Sequence, residues 1–511
     1  MVRSRGPWNG SFSSSETAMS ATPKYYITTA IPYVNAKPHI GHALEFIQAD
    51  TIARHERLLG KDVLLLSGAD ENALKNVQAA EEAHAPPQEF VDANARLFAD
   101  LAKHLHVEFD IFQKGSDRLH HYPSSQELWR RCAAAGDIYR KAYEGLYCVG
   151  CEAFYAPDEL TPEGECAEHP GKKVERVAEE NYFFRLSKYQ GELVERIRSG
   201  ALAITPEVRK HEALSFLSQP LADISISRSN ERARNWGVPV PGDDSQRIYV
   251  WFDALNIYQS GVGFNWDDAR YRAWWPADLH VIGKGILRFH AIYWPAFLLS
   301  AKLPLPKALF VHGYITVNGH KISKSIGNAV DPLAVVERYG AEPLRYYLLR
   351  EIPSGEDGDF SIAKLEERYT GDLSNGLGNL VARVAALGEK VSPIRVDFGT
   401  DMLPNVKTAA SEVFRRYEAA FAAFRLHEAL GETWRLIAFT DRFISETRPW
   451  AVEDPERFRS IIANAAYLVS TVSNLVQPFL PETAKRIPKQ ISFADSVIEI
   501  KKGAVLFPRL G

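Results

Sequence analysis

Residues 24–50, KYYITTAIPYVNAKPHIGHALEFIQAD, constrain this chain more than any other stretch. An apolar run from Tyr25 to Ala30 reads as a buried strand, and soon after it, past Gly41, the pattern becomes helical. Val63–Leu66 is a second such run followed by helical sequence, and Leu279–Ile282 and Leu309–Val311 look similar. Strands that alternate with helices predict a parallel sheet with crossover helices, hence an α/β fold. After about Ser361 the strand signals fade. Phe414, Tyr417, Phe421, Phe424, Trp434 and Ile437 then recur at helical spacing and predict a C-terminal helical bundle. Ile491–Leu510 is expected to return as a last strand or to run on as an extended tail. At 511 residues the chain has room for two or three domains.

The turn between the first strand and its helix reads Pro38-His39-Ile40-Gly41-His42. A strand that ends in a glycine-containing turn and opens into a helix makes an anion site, because free N–H groups and the helix dipole face the turn. Gly41 lets a ligand approach the backbone closely. His39 and His42, three apart, share a face of the first helical turn, and each can donate a hydrogen bond to a phosphate oxygen. In isolation the same residues could be two surface histidines at a helix start, since short motifs recur by chance. A second motif, Lys321-Ile322-Ser323-Lys324-Ser325, lies between Gly319 and Gly327 and reads as a loop whose lysines could close over a polyphosphate. Taken alone it could equally be a solvated basic loop.

The cysteines add a third pattern. Cys148-x2-Cys151 is followed, after residues 152–165, by Cys166-x2-His169. Two ligand pairs at knuckle spacing predict a tetrahedral zinc site, structural because protein fills all four positions. Cys132 lies outside the cluster and reads as buried and inert. Four cysteines are too few for a disulfide scaffold at this length, so a reducing, cytoplasmic setting is expected. A net charge of −4 means that any nucleic-acid partner must be met by local basic patches. No run of about 18 apolar residues appears, so no membrane partner is expected. The Ser-rich start lacks the apolar core of a secretory signal. Residues 1–18 are expected to be a disordered tail or an overlong start.

Together the HIGH turn and the KISKS loop resemble the signature pair of class I aminoacyl-tRNA synthetases, and the resemblance narrows to the methionyl-tRNA synthetase family. It is carried by AIPYVNAKPHIGHALEFIQAD, YCVGCEAFY, ENYFFRLSKY, ISISR, WGVPVP, YVWFDALNIY, IGKGILRFHAIYWP, FVHGYITVNGHKISKS, LRYYLLREIPSGEDGDFS, NGLGNL and RPW, in order along nearly the whole chain after Thr22. The synthetases for isoleucine, valine and leucine are similar but carry a far larger insertion between the two signatures.

The resemblance implies ligation of L-methionine to tRNA(Met) through a methionyl-adenylate, with ATP, its Mg2+ and a structural Zn2+. It implies catalytic roles for His39, His42, Lys321 and Lys324, and ATP contacts from these together with Gly41, Gly283 and Ser323. Ile31, Tyr33, Asp70, Trp251, Ala254, Tyr258, Ile286 and His290 match the family's methionine pocket. These types suit a long, polarizable thioether, and His290 and Tyr258 are expected to offer it hydrogen bonds. Asp70 is expected to hold the substrate ammonium. Trp450 and Pro449, with Asn379 and Arg383, match the anticodon-reading corner, where an indole can stack on an unpaired base.

The implied architecture is a Rossmann-like parallel-sheet catalytic domain with an inserted zinc-knuckle connective domain, followed by an all-α helical-bundle anticodon-binding domain. The expected layout is a disordered tail at 1–22, catalytic halves at 23–109 and 228–325, and a connective insertion at 110–227 with its knuckle at about 144–180. A stem-contact junction at 326–365 and an anticodon-binding domain at 366–511 complete it. With no further domain after Gly511, a monomer is expected. Two places depart from the family's usual pattern: Asn72-Ala73 stand where it commonly has His-Gly, and Gly285 where it has Asp on the nucleotide-facing side. They motivate one alternative, a catalytically impaired paralogue that acts as a tRNA-binding module.

Overall fold

The structure, a computed structural model, describes residues 22–148, 153–155, 157–167, 173–317, 319–321 and 330–510. Its centre is a six-stranded sheet built from β1 (Lys24–Thr29), β2 (Asp62–Ala69), β3 (Ile111–Lys114), β4 (Ala203–Thr205), β5 (Leu279–Gly283) and β6 (Ala308–His312). The strand order is β3-β2-β1-β5-β6-β4, and every pairing is parallel. The inner strands are buried on both faces, which is why they read as continuous apolar runs. The chain runs outward from β1 through β2 on one side and from β5 through β6 on the other. A crevice therefore opens beyond the strand ends between β1 and β5, the position where open α/β sheets bind ligands.

Both outer strands, β3 and β4, come from the interval 110–227 that the sequence suggested was an insertion. They have only four and three residues, and neither is an uninterrupted buried run, so periodicity could not reveal them. The rest of that interval holds a four-stranded antiparallel sheet in which Ile138–Cys148 pairs with Glu175–Phe184. Cys148 and Cys166 are buried there, whereas Cys151 and His169 lie outside the described residues.

One core packs α1 (Ile40–Leu58) and the C-terminal helices on one face of the main sheet. The other core lies opposite, with Phe184, Phe252, Trp294 and Phe297 fully buried. Short α2 (Val250–Ala254) belongs to this second core. The C-terminal part contains α3 (Ala341–Glu351), α4 (Asn379–Gly388), α5 (Pro404–Ala422), α6 (Leu426–Thr447) and α7 (Pro455–Val476). The aromatic spacing read from the sequence falls on α5 and α6, except for Phe424, which lies in the turn between them at a positive φ. The domain expected to be all-α also carries a small antiparallel sheet: Ile394–Arg395, β7 (Ile491–Ala494) and β8 (Val497–Ile500). In β8 the buried Ile498 and Ile500 alternate with the more exposed Val497 and Glu499, a period of two that a helix cannot satisfy.

A buried arginine ties the two parts together. Arg345 of α3 pairs with Asp50 of α1 at 2.8 Å and donates to the carbonyls of Leu105, Pro478 and Phe479. Close by, the His55 ring of α1 stacks on Phe421 of α5 at 3.8 Å. Among the described residues no helix is long and apolar enough to cross a membrane. The expected N-terminal tail lies outside the described residues except for Thr22.

Candidate active site

The HIGH turn caps α1 with its own histidines. His39 is the N-cap, and its Nδ1 accepts the Gly41 N–H at 3.1 Å, while His42 Nδ1 accepts the His39 N–H at 3.1 Å. This is a reciprocal capping box made from two imidazoles. With each Nδ1 accepting, the proton of each neutral ring stands on Nε2. A Cβ on Gly41 would meet the His39 ring at 2.9 Å, so glycine is what lets that ring lie over the turn. Burial lowers the His39 pKa to about 4. Burial also holds His42 well below the usual imidazole value, and the neighbouring His39 and His312 push it the same way. Both rings are therefore neutral at pH 7 and present Nε2–H donors.

These donors border a cavity of about 940 Å³ at the β1–β5 crevice. Ile31, Tyr33, His39, His42, Trp251, Gly283 and Ile286 all line it. Trp251 stacks on Phe289 with ring centroids 3.7 Å apart and meets Tyr33 edge-on. Asp70 is buried beside this wall, bridged in register to Tyr33, and Ala254, Tyr258 and His290 are buried behind it. The Tyr258 hydroxyl lies 2.8 Å from His290 Nε2, and His290 Nδ1 lies 2.9 Å from the Ile286 carbonyl. The carbonyl can only accept, so Nδ1 carries the proton and the tyrosine donates to Nε2. Burial lowers the His290 pKa to about 4, so the ring has no second proton. Both protons expected to face a thioether are thus committed within the protein, and the pocket as it stands offers packing on aromatic rings instead.

The two departures are accommodated. Asn72 Nδ2 donates to Asp253 and to the Gly115 carbonyl, both at 2.7 Å. Asp253, on α2, also accepts from Ser125 at 2.7 Å and lies 2.9 Å from His121 Nε2. The turn after Asp70 is thus anchored to the helix that carries Trp251. Beside Gly285 the space is taken by Tyr314, another residue of the cavity wall.

The second signature is only partly described. Lys321 closes a short strand, His320–Lys321, that pairs with Ile315–Val317. Its side chain, with Ser323 and Lys324, lies outside the described residues. Tyr314 before this segment and Val330 and Asp331 after it all line the cavity.

Sequence reasoning passed over Phe289, Lys75, Glu45 and Tyr155. Lys75 sits over the Tyr33 ring, 2.9 Å from its centroid. Glu45 accepts the Ala30 N–H and pairs with His312. Tyr155 reaches the cavity from the insertion. Phe289 was legible in ILRFHAIYWP, at the same helical turn as His290. Glu45 stands on α1 itself, three residues after His42, whereas Lys75 and Tyr155 reach the cavity from elements that no local pattern connects.

In the C-terminal part, Trp450 is 57% exposed and Pro449 is buried beneath it. The Arg383 guanidinium lies 5.2 Å from the indole centroid. Asn379, exposed one turn earlier on α4, shares this face. The structure brings these four residues together on one corner.

A parallel sheet with a histidine-capped helix at its switch point, and a KISKS motif that falls in the sequence between the cavity-lining Tyr314 and Val330, define a class I aminoacyl-tRNA synthetase catalytic domain. The family model "tRNA synthetases class I (M)" matches residues 25–385. The methionine--tRNA ligase of Thermotoga maritima is 42% identical over 484 residues, covering 92% of this chain and 76% of that protein. The methionine--tRNA ligase of Brucella suis is 41% identical over 475 residues, covering 91% of each chain. Mycobacterium tuberculosis methionyl-tRNA synthetase in complex with methionyl-adenylate matches with a TM-score of 0.89 at 38% identity, covering 96% of this chain and 100% of that chain. The chain belongs to the methionyl-tRNA synthetase family.

Proposed function

We infer that the chain ligates L-methionine to tRNA(Met) in two steps, forming methionyl-adenylate and diphosphate from ATP and then esterifying the tRNA with release of AMP. The observation that carries this reading is the pair of neutral, mutually capped histidines set in the same cavity as an aromatic pocket. In the first step the methionine carboxylate attacks the α-phosphate in line. Nothing covalent is asked of the protein, so positioning and charge stabilisation supply the catalysis. His39 and His42 donate from Nε2 to phosphate oxygens at the N-terminus of α1, where Gly41 leaves the backbone open. Gly283 permits close approach of the nucleotide. Lys321, Ser323 and Lys324 come down over the departing diphosphate. Asp70 holds the ammonium while Ile31, Tyr33, Trp251, Ala254, Tyr258, Ile286 and His290 enclose the side chain. Mg2+ arrives with ATP and neutralises phosphate charge.

Further from the chemistry, we assign residues 23–109 and 228–325 to the catalytic domain together with β3 and β4, the outer strands of its sheet, the remainder of 110–227 to the connective insertion, 326–365 to a stem-contact junction and 366–511 to anticodon binding. Trp450, Pro449, Asn379 and Arg383 form the reading corner. Cys148, Cys151, Cys166 and His169 would hold a structural Zn2+. Support comes from the donor set, soft thiolates with one imidazole, and from the burial of Cys148 and Cys166. Burial pushes the Cys132 thiol up to about 12, consistent with an inert residue in a reducing cytoplasm. The chain is proposed to act as a monomer.

The test is diphosphate exchange into ATP, without tRNA, using each of the twenty amino acids. Exchange with methionine alone is expected. A folded protein that binds tRNA yet exchanges with none would establish the tRNA-binding module instead. The relatives, named as methionine--tRNA ligases, give that alternative no support.

A further inference from the structure

The helix His121–Ala134, in the interval 110–227, has a buried face that runs His121, Ser124, Ser125, Leu128, Trp129 and Cys132. These positions recur three and four apart, the spacing of one helix face against a core. Leu128, Trp129 and Cys132 are what such a face normally carries. At its first turn the same face is polar instead, and His121, Ser124 and Ser125 are fully buried. Buried polar residues at core positions are the informative ones, because each needs a partner.

All three find theirs in the segment 250–260. His121 Nδ1 lies 2.8 Å from Ser260 Oγ and its Nε2 lies 2.9 Å from Asp253, while Ser125 donates to Asp253 at 2.7 Å. Asn72 holds the other oxygen of the same carboxylate. The Asn256 amide donates to Ser124 at 2.8 Å and to Ser125 at 3.3 Å. Asp253, Asn256 and Ser260 are themselves buried, on the two short helices Val250–Ala254 and Ile257–Ser260 and the helical turn that joins them. Trp251, Ala254 and Tyr258 repeat the same spacing, each two positions earlier in the chain. Two positions on a helix differ in direction by about 200°. The polar stripe is therefore the back of the stripe that forms the pocket wall.

Helices of five and four residues do not hold their own shape, so their rotation is fixed by what they touch. Apolar packing alone tolerates a segment that rolls by a fraction of a turn. Directional bonds to a buried carboxylate and a buried amide do not. We propose that His121, Ser124 and Ser125 are positioning residues for methionine selection. By holding Asp253, Asn256 and Ser260 they fix the rotation of segment 250–260, and with it the place of the Trp251 ring in the cavity. This rests on the reading of the cavity as the methionine pocket, and it gives a helix of the interval 110–227 a part in choosing the amino acid.

The experiment is diphosphate exchange into ATP with L-methionine and with L-ethionine, which is one methylene longer, for the parent protein, Ser125→Ala and His121→Ala. Circular dichroism follows the folding of each. Ser125→Ala removes a single oxygen, so it reads the proposal even where the larger deletion at His121 unfolds the chain. The parent is expected to prefer methionine. Ser125→Ala should narrow that preference roughly three- to tenfold, a part of what one methylene is worth in a well-defined apolar pocket. It should raise KM for methionine and leave KM for ATP unchanged, and a folded His121→Ala should move both readouts further the same way. The proposal is overturned if Ser125→Ala loses thermal stability yet keeps the parent's preference, if it raises the two KM values alike, or if the parent itself does not distinguish the two amino acids. A parent that shows no methionine-dependent exchange overturns the reading of the cavity itself, a failure separable from the loss of discrimination alone.

Discussion

The histidine cap and the tryptophan corner are both read as places where this chain meets a phosphate-bearing partner, and they are built in opposite ways. At the cap, His39 and His42 satisfy each other's backbone, and the bonding fixes which nitrogen carries the proton. At the corner, Trp450 stands 57% exposed with Arg383 against its ring. The cap is prepared before its ligand arrives, so its donors can favour a short-lived charge distribution. The corner offers a flat apolar face, which suits a base that must splay out and stack. On the proposed reading, one region serves a transition state and the other a bound partner. Substitutions in the two should therefore separate rate from affinity.

The largest effect is expected where the sheet-bearing and C-terminal parts that carry these regions meet, at Arg345 and Asp50. Arg345→Met should destabilise the protein by about 3–5 kcal/mol, because it strands a buried carboxylate and three carbonyls. Arg54, also paired with Asp50, should hold the loss toward the lower end. Urea unfolding followed by circular dichroism measures it, and a loss below about 1 kcal/mol would show that the junction tolerates an unpaired Asp50. Next comes the cap. His39→Ala should lower the rate of diphosphate exchange about 10²–10³-fold, as for other preorganised donors, with tRNA affinity unchanged. A fall in tRNA affinity of similar size would erase the distinction drawn between the regions. At the corner the reverse is expected. Trp450→Ala should weaken binding of an anticodon stem-loop by about 1–3 kcal/mol, measured by fluorescence titration, while exchange without tRNA stays at the parent rate.

The same contrast explains what the sequence could and could not reveal. Buried parallel strands are continuous apolar runs, so β1, β2, β5 and β6 were legible, and His39 and His42 stood out because a turn motif is local. The helical spacing of Tyr417, Phe421 and Ile437 exposed α5 and α6 equally well. Outer strands β3 and β4 are too short to set a period, and they pair with residues far away in the chain. Asn72 looked like a defect in the run after Asp70. Its repair lies in Asp253, 181 residues away, and only the fold brings them together. The vacancy left by glycine at 285 is filled by Tyr314 in the same manner. The commitment of the Tyr258 and His290 protons was hidden for a different reason: residue type shows that a group can donate, while direction is set by the carbonyl it faces.

The smallest effect concerns pH, and it sharpens the comparison because it falls on the histidines of the cap and pocket. His39 and His290 fall to about 4 when folded, against an ordinary value of 6.5, and desolvation is the cause in each. A base whose folded pKa is lowered binds fewer protons in the native state than in the unfolded state between those two values. Stability therefore rises with pH across that window and is lost as the pH falls from about 6.5 toward 4. Above 6.5 neither histidine contributes a slope. For function the sign is different. The Nε2–H donors of the cap stay in one protonation state throughout, so KM for ATP should be flat from pH 8 down to about 5. An inflection near 6.5 in KM for ATP, with the protein still folded, would mean that the cap is solvated and titrates like a free histidine. The two regions would then differ in exposure less than their geometry shows.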